Sequence, residues 1–376
     1  MKNKIRIIIV SLIVITFSTI NILMPIQSFS SQENRYLQKI PDFNVKNILS
    51  GKYSSDFEKY TTDQFPYRDF WIKVKTGTDL IMLKKDNGRV YFGKEELLFD
   101  VDSDFDQDQF AKNMSYINNF ISKIHQLNKD IKVGAVLIPS KGIVYSESLP
   151  EYAPIIDEYK IMEDIIKSLP EDFYVVDLIK VLKEKSNEYI YYRTDHHWTT
   201  KGAYYGYKAL SNALGYKPYS ENKFKIEKVS EDFLGTIYRK ANLYTGKPDS
   251  IYKYTFPEDV QYKITINESM ETESLYDESY LNKTDKYSYF LGGDYGVVNI
   301  ETSIKNGKSI VIIKDSYANS LLPFLSLHYE KIVLIDTRYF RESIPEYIKN
   351  INVDDILFAF NIQNFSQFKT FNLLNR

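Results

Sequence analysis

The sequence contains no cysteine, and it has only four histidines and two tryptophans among its 376 residues. The absence of cysteine excludes disulfide bonds, a thiol nucleophile and any metal site with cysteine ligands. No glycine-rich phosphate loop of the P-loop or dinucleotide-binding type is present. Charge of one sign is not in excess either: the formal net charge is −2. Nucleic-acid-binding proteins usually carry a basic excess, so we expect no nucleic-acid partner.

What is present is the composition of a globular protein, with 43% hydrophobic and 26% charged residues. Over this length, that composition predicts a sizeable core and one large domain or two ordinary ones. Tyrosine (32) and phenylalanine (23) are abundant. Aromatic side chains suit sugar binding, but isoleucine, lysine and asparagine are also frequent, so a general compositional bias explains this abundance better.

The N-terminus predicts the compartment. Lys2, Lys4 and Arg6 form a basic start, and residues 7–24 are then uncharged and almost wholly apolar. This length is close to the roughly 20 residues that a helix needs to span a bilayer, and the basic end is expected to stay in the cytoplasm. We therefore expect residues 1–30 to form a cytoplasmic start and a transmembrane anchor, with the remainder outside the membrane. The alternative is a cleaved signal peptide, which would make the protein secreted.

Beyond the anchor, residues 31–105 are polar and aromatic and are interpreted as an extracellular entry segment, before a catalytic domain over residues 106–376. Helical spacing is found over residues 108–128 and from Thr199 or Thr200 to Gly215. Short apolar runs predict strands at residues 131–138, 173–177, 309–314, 331–336 and 356–360. Such strands, separated by helices, predict an α/β fold with a mostly parallel sheet flanked by helices. Residues 217–290 show weak periodicity and are expected to be an insertion.

Two of the histidines are adjacent, in the run Asp195-His196-His197-Trp198 directly before a predicted helix. Side chains two positions apart can project to the same side of an extended segment, so Asp195 can meet His197. The carboxylate would accept a hydrogen bond from Nδ1–H and leave Nε2 as a base. A capping turn with a surface histidine is the structural alternative.

A metal site built from Asp195, His196 and His197 would be the rival chemistry. Adjacent histidines rarely reach one ion together, and neither of the other two histidines has the spacing of a further ligand. We therefore expect no metal.

The second candidate motif is Lys314-Asp315-Ser316-Tyr317, which follows a fully apolar predicted strand. Ser316 is then at the carboxyl end of a central strand, where ligands bind in open α/β sheets. A serine needs a neighbouring base to act as a nucleophile, and His197 is the candidate. An ordinary strand-to-loop turn is the alternative interpretation.

The run at residues 195–203 (Asp-His-His-Trp-Thr-Thr-Lys-Gly-Ala) resembles the signature of the DHHW family, which is similar to the AlgJ/AlgX-type proteins of alginate O-acetylation. Shorter matching motifs extend the resemblance over nearly the whole exported part: residues 33–35, 63–69, 139–141, 233–236, 290–294, 314–318 and 336–339. The resemblance implies an SGNH-hydrolase-like fold with a catalytic triad of Ser316, His197 and Asp195. The Asp-His pair precedes the serine, which reverses the order in ordinary SGNH enzymes.

The resemblance also implies a function. It indicates a membrane-anchored O-acyltransferase that acetylates an exported or cell-surface polysaccharide through an acyl-serine, with no cofactor. A membrane-bound O-acyltransferase partner would supply the acyl groups. Substrate-binding roles are expected for a further set of residues: His196, Trp198, Tyr317, Gly292, Gly293, Arg338 and Tyr339. The backbone N–H groups of Ser316 and of the two glycines are the candidate oxyanion donors.

Two alternatives remain open from the sequence. The first is a polysaccharide acetyl esterase that uses the same triad with water as the acceptor. The second is a non-catalytic polysaccharide-binding or export-scaffold protein.

Overall fold

The structure is a computed structural model that describes residues 2–30, 35–101, 104–243, 246–257 and 260–376. Glu33 and Asn34, which belong to the first of the family-like motifs, lie outside the described residues. The chain divides into two compact units. One comprises Met1–Val90 with Thr236–Gly246, and the other comprises Tyr91–Gly235 with Lys247–Arg376.

The helices and strands of the described residues are numbered in chain order. The helices are α1 (Lys2–Leu23), α2 (Val45–Leu49), α3 (Lys52–Asp63), α4 (Arg68–Ile81), α5 (Gln107–Leu127), α6 (Lys141–Val144), α7 (Glu158–Ser168), α8 (Ile179–Lys183), α9 (Thr200–Leu214), α10 (Thr236–Ala241), α11 (Leu322–Leu325), α12 (Ile344–Lys349) and α13 (Ile362–Gln367). The strands are β1 (Phe29–Ser30), β2 (Arg35–Tyr36), β3 (Val90–Phe92), β4 (Leu98–Asp100), β5 (Lys132–Ile138), β6 (Tyr174–Asp177), β7 (Lys225–Phe233), β8 (Asp249–Thr255), β9 (Tyr262–Ile266), β10 (Met270–Thr272), β11 (Val297–Thr302), β12 (Ser309–Lys314), β13 (Lys331–Ile335) and β14 (Asp355–Asn361).

The first unit is mostly helical: it contains α1 to α4, α10 and the short antiparallel pair β1–β2. Within α1, the window Lys4–Asn21 is long and apolar enough to cross a membrane, judged by length and composition. Asn44 caps α2 by accepting a hydrogen bond from the backbone N–H of Lys46. Such a cap satisfies one of the backbone donors that every helix start leaves unpaired.

The second unit is built on an eight-stranded sheet of order β10-β9-β11-β13-β12-β14-β5-β6. The five strands from β13 to β6 run parallel, whereas β11, β9 and β10 join antiparallel at one edge. The predicted α/β class and mostly parallel sheet are therefore confirmed. Parallel strands end at a common edge, and that edge positions the candidate site.

Alternation along the central strands gives the sheet two apolar faces. Ile310 and Ile312 of β12 belong to one buried cluster, which also includes residues of α8, α9 and α11. Val311 and Ile313 belong to the other, together with residues of α5, α7, α12 and α13. Each buried large aliphatic side chain contributes roughly 1.5–3 kcal/mol of hydrophobic stabilisation. Helices thus cover both faces, as a parallel sheet requires.

The boundaries of α9 follow its local sequence. The Thr199 side chain accepts a hydrogen bond from the backbone N–H of Gly202 and begins the helix. Gly215 ends it with φ +68°, a conformation that glycine adopts readily. The segment 217–290 contains the β7–β8 pair and α10, and it also supplies β9 and β10 to the main sheet.

Candidate active site

Ser316 lies immediately beyond the carboxyl end of β12 and begins a short 3₁₀ helix, Ser316–Leu321. It is partly exposed, whereas Asp315 beside it is buried. The Asp315 carboxylate accepts hydrogen bonds from the backbone N–H of Tyr317 (2.9 Å), the backbone N–H of Asn361 (2.9 Å) and Nδ2 of Asn364 (2.8 Å). Burial raises the pKa of Asp315, and these donors oppose the shift. They also tie the serine turn to the end of β14.

The histidine motif meets this turn. The distance from Nε2 of His197 to Oγ of Ser316 is 2.7 Å, and that from Nδ1 of His197 to Oδ1 of Asp195 is 2.6 Å. The same Oδ1 accepts the backbone N–H of His197 at 3.0 Å. The ionised carboxylate can only accept, so the proton of a neutral His197 resides on Nδ1 and Nε2 is free to accept the serine proton. Serine, imidazole and carboxylate form one hydrogen-bonded line.

The electrostatics of this line favour a neutral imidazole. Burial, assisted by His196, lowers the pKa of His197 to about 4, against the opposing effect of Asp195. The ring is therefore unprotonated near pH 7. An unprotonated ring is the state that can accept a proton from a serine hydroxyl.

A buried lysine holds the loop that carries Asp195. From α6, the Nζ of Lys141 donates to the backbone carbonyls of Tyr192 (2.9 Å), Arg193 (3.0 Å) and Asp195 (2.8 Å). Burial lowers the pKa of Lys141 to about 8. Three carbonyl acceptors match the three N–H bonds of an ammonium group, so the lysine fixes the loop through its backbone.

Asp249 and Gly235 support the same loop from the other side. The fully buried Asp249 carboxylate accepts the backbone N–H groups of Arg193 and Thr194, both at 2.8 Å, and the Thr194 hydroxyl. Gly235 donates its N–H to the Thr194 hydroxyl. A Cβ at position 235 would lie 2.2 Å from Cβ of Asp195, so only glycine fits there without displacing the carboxylate.

Aromatic rings enclose His197. The ring of Tyr287 stacks on the imidazole at 3.6 Å between centroids and 5° between planes. Its hydroxyl donates to the backbone carbonyl of Ser316 at 3.0 Å. Tyr317 is buried and donates to the carbonyl of His196, while Trp198 is fully buried and donates to the carbonyl of Tyr317. Tyr287 thus contacts both the imidazole of His197 and the serine turn.

Behind the serine turn lies a network of charges at the same edge of the sheet. Lys314 donates to Asp294 at 2.6 Å and to Asn319 at 2.8 Å. Arg338 donates to Asp294 at 2.9 Å and to Asp336 at 2.6 Å. Burial would raise the pKa of Asp294, but Lys314 and Arg338 outweigh burial and hold the pKa well below its usual range. The network fixes the end of β12 against the loop after β13.

The residues expected to bind substrate differ in how far they are exposed. Trp198 has no exposed surface, so its position favours a packing role over substrate contact. Gly292 and Gly293 have φ values of +77° and +115°, which favour glycine. Arg338 is partly exposed, stacks on the exposed Tyr339 at 5.4 Å and lines a cleft of about 440 Å³.

His196 is half-exposed, and its ring lies 3.8 Å from that of His197. The ligand atoms of Asp195, His196 and His197 approach within 4.8 Å of one another, a spacing that a metal ion could bridge. Both ring nitrogens of His197 already meet protein atoms, the carboxylate at one and the serine at the other. Metal coordination through His197 would break one of these contacts.

Several of these residues were missed by sequence reasoning or received no role from it. Lys141 and Asp294 fell within family-like motifs, and no function was attached to either. Asp249 and Tyr287 had no recognisable signal, because their roles depend on contacts with residues more than 50 and 28 positions away, respectively.

The second unit has an SGNH-hydrolase-like α/β fold, and at one edge of its sheet Ser316, His197 and Asp195 are aligned by hydrogen bonds. Residues 162–335 match the sequence model of the DHHW protein family, and the resemblance predicted from the histidine motif is confirmed. A DHHW family protein from Eubacterium siraeum has a similar structure, with a TM-score of 0.62, 28% identity, and coverage of 76% of this chain and 97% of that one. Bacillus cereus PatB1, solved with a sulfonyl adduct, shares the fold with a TM-score of 0.65, 20% identity, and coverage of 76% and 99%.

The chain is also similar in sequence to a curated protein, the probable alginate O-acetylase AlgJ of Pseudomonas syringae pv. tomato. The two are 22% identical over 218 residues, which cover 56% of this chain and 54% of AlgJ. The Pseudomonas aeruginosa AlgJ is 23% identical over 176 residues, which cover 44% of each protein. The chain thus spans about half the length of the curated relatives that it matches.

Proposed function

We propose that the protein is an extracytoplasmic O-acetyltransferase that modifies a polysaccharide through an acyl-serine intermediate. The observation that carries the proposal is the continuous line from Oγ of Ser316 through His197 to Asp195, with distances of 2.7 and 2.6 Å. The similarity to AlgJ, whose name describes an alginate O-acetylase, supports acetyl transfer as the reaction.

In the first half of the proposed reaction, Ser316 Oγ attacks the carbonyl carbon of the acetyl donor while Nε2 of His197 takes the hydroxyl proton. Asp195 stabilises the imidazolium that forms. The tetrahedral oxyanion then collapses, the bond to the donor's leaving group breaks, and His197 returns the proton to that group. An acetyl-serine and a protonated leaving group result, with neutral His197 restored.

In the second half, a sugar hydroxyl gives its proton to His197 and attacks the acetyl-serine. Collapse of the second tetrahedral intermediate releases the acetylated sugar and returns the proton to Ser316. Each preorganised oxyanion donor contributes about 3 kcal/mol to lowering such a barrier. The backbone N–H groups of Ser316, Gly292 and Gly293 are the proposed donors.

The acceptor is proposed to enter beside Arg338 and Tyr339. The cleft that Arg338 lines also contains Asn364, whose side chain bonds to Asp315, the neighbour of the nucleophile. Gln363, Gln367 and Phe368 complete much of its wall. Amide side chains and an exposed aromatic ring suit the hydroxyl groups and the apolar faces of sugar rings.

The apolar helix α1 is proposed to anchor the protein in the cytoplasmic membrane, with the catalytic unit outside. Acetyl groups carried across the membrane would be presented by a membrane-bound O-acyltransferase partner. No step in the proposed reaction requires a cofactor.

A serine-reactive fluorophosphonate tests the nucleophile. We expect labelling of the wild type and of Ser320→Ala, a variant at a buried serine of the same 3₁₀ helix, and no labelling of Ser316→Ala. With p-nitrophenyl acetate as donor, we expect acetylated oligosaccharide to form faster than free acetate. Release of acetate alone would assign the esterase instead. A wild-type protein that does not label would contradict the triad and favour the scaffold.

A further inference from the structure

Helix α4 buries polar residues and exposes a stripe of apolar ones. Its buried residues are Arg68, Thr76 and Asp79. The apolar residues recur at helical spacing along one face and are exposed, from 38% to 84%: Tyr67, Phe70, Trp71, Val74 and Ile81. In a helix that packs on its own core, the apolar stripe faces inward. This arrangement indicates that the stripe of α4 has another apolar environment.

Other elements of the same unit also expose apolar side chains. Helix α2 has no buried residue, and Val45 and Leu49 on it are 69% and 84% exposed. Phe43, which precedes α2, is 79% exposed and packs edge-on against Tyr53 of α3. Large exposed apolar patches mark interaction sites with proteins or membranes.

A contact with α1 indicates how deep in the membrane the apolar face of α4 would lie. The Phe17 ring stacks on Phe65 at 6.2 Å between centroids and lies 6.3 Å from the ring of Trp71. Phe17 is four residues before the end of the candidate membrane span, Lys4–Asn21. At 1.5 Å per residue, Phe17 is about 6 Å from the end of this window along the helix axis, and about 10 Å from the end of the uncharged run at residues 7–24. Rings that touch Phe17 are therefore at the level where tryptophan and tyrosine concentrate in membrane proteins.

The charge of this segment fits a membrane surface as well. Residues 35–90 contain 11 lysines and arginines against 7 aspartates and glutamates, although the whole chain has a net charge of −2. A basic segment with an exposed apolar face is the pattern of a helix that lies in the interface of an anionic bilayer.

We propose that the exposed apolar faces of α4 and α2 lie in the plane of the outer leaflet and bind anionic phospholipid beside the α1 anchor. The proposal rests on the membrane anchor in the proposed function. It makes the first unit a membrane-embedded platform, held by an in-plane helix as well as by a spanning one.

The chain's two tryptophans permit a direct test, because Trp198 is fully buried in the second unit while Trp71 is on the proposed surface. The full chain would be reconstituted in vesicles of equal parts phosphatidylcholine and phosphatidylglycerol. Bromine atoms on the acyl chains, placed near the headgroups or near the bilayer centre, quench tryptophan at the corresponding depth. We expect the shallow bromine to quench about half of the total emission and more than the deep bromine does, since one of the two rings is at the interface.

Variants separate the surface from the anchor. Trp71→Phe should abolish the quenchable part, and Phe70→Gln combined with Val74→Gln should reduce quenching at least twofold. Tyr152→Gln, at a residue 91% exposed in the second unit, should leave it unchanged. If the chain floats with the vesicles but Trp71 is not quenched, the proposed lipid contact of α4 and α2 is wrong and the membrane anchor is retained. The apolar faces would then be covered by a second protein. A chain that fails to float would overturn the anchor and the surface together.

Discussion

At the scale of single residues, His196 and His197 are adjacent in sequence but differ in their contacts. His197 is buried between Asp195 and Ser316, and its Nε2 is 2.7 Å from the serine hydroxyl. His196 is half-exposed and touches the site through its ring, which packs on that of His197. This difference allows the two histidines to be distinguished by substitution.

We predict that His197→Ala loses acetyl transfer by several orders of magnitude, comparable with Ser316→Ala, because the serine proton then has no base. His196→Ala should retain most of the activity. The measurement is kcat/KM with p-nitrophenyl acetate, with thermal unfolding to verify that each variant is folded. The assignment would be wrong if folded His197→Ala were active and folded His196→Ala were not.

At the scale of elements, the loop between Tyr191 and Trp198 is positioned by α6 through Lys141. The Lys141 ammonium uses three N–H bonds for three carbonyls, and its pKa is lowered to about 8 by burial. As the pH rises through that value the lysine loses a proton, and two N–H bonds then remain for three acceptors. The loop that carries Asp195 is less firmly held above that pH.

Activity should therefore decline above about pH 8 in the wild type. Lys141→Met should have a lower kcat throughout and should lack that alkaline decline. The exposed Lys183→Met on α8 serves as the matched control and should keep the wild-type profile. An alkaline decline that persists in folded Lys141→Met would show that another group causes it.

The elements also show what sequence patterns can and cannot predict. The strands β5, β12 and β14 are continuous apolar runs and were predicted within about a residue, because a strand buried on both faces needs such a run. Strand β11 was not predicted, since Asn299 and Glu301 interrupt its apolar residues. The pairing of Asp195 with His197 is local and follows from their spacing. The contacts of Asp249 depend on how distant segments fold together, and one sequence carries no signal for them.

At the scale of the whole molecule, buried histidines link stability to pH. His197 and His328 have pKa values lowered to about 4, chiefly by burial, from an ordinary value of 6.5. Between these values the unfolded chain binds protons that the folded chain does not. The free energy of unfolding therefore falls as the pH falls from 6.5 toward 4, by at most roughly 3 kcal/mol for each histidine.

His328 allows this effect to be measured apart from catalysis, because it contacts Tyr207 on a different part of the fold. We predict that His328→Phe has a smaller loss of unfolding free energy between pH 6.5 and pH 4.5 than the wild type has. Urea denaturation at both pH values is the measurement. The loss of activity at acid pH should be the same in His328→Phe as in the wild type, because we expect that loss to follow the protonation of His197. An unchanged stability slope in the variant would contradict the linkage.

The order of the site residues along the chain affects when the candidate site is assembled during synthesis. His197 precedes Ser316 by 119 residues, and β5 pairs with β14, the last strand in the described part of the chain. The backbone of Asn361, at the end of β14, also holds the Asp315 turn. Domains fold as units while the ribosome adds residues one by one. A nascent chain would thus carry His197 and Asp195 in an unfinished sheet, and the turn that holds Ser316 against His197 would be complete only after β14 has been made.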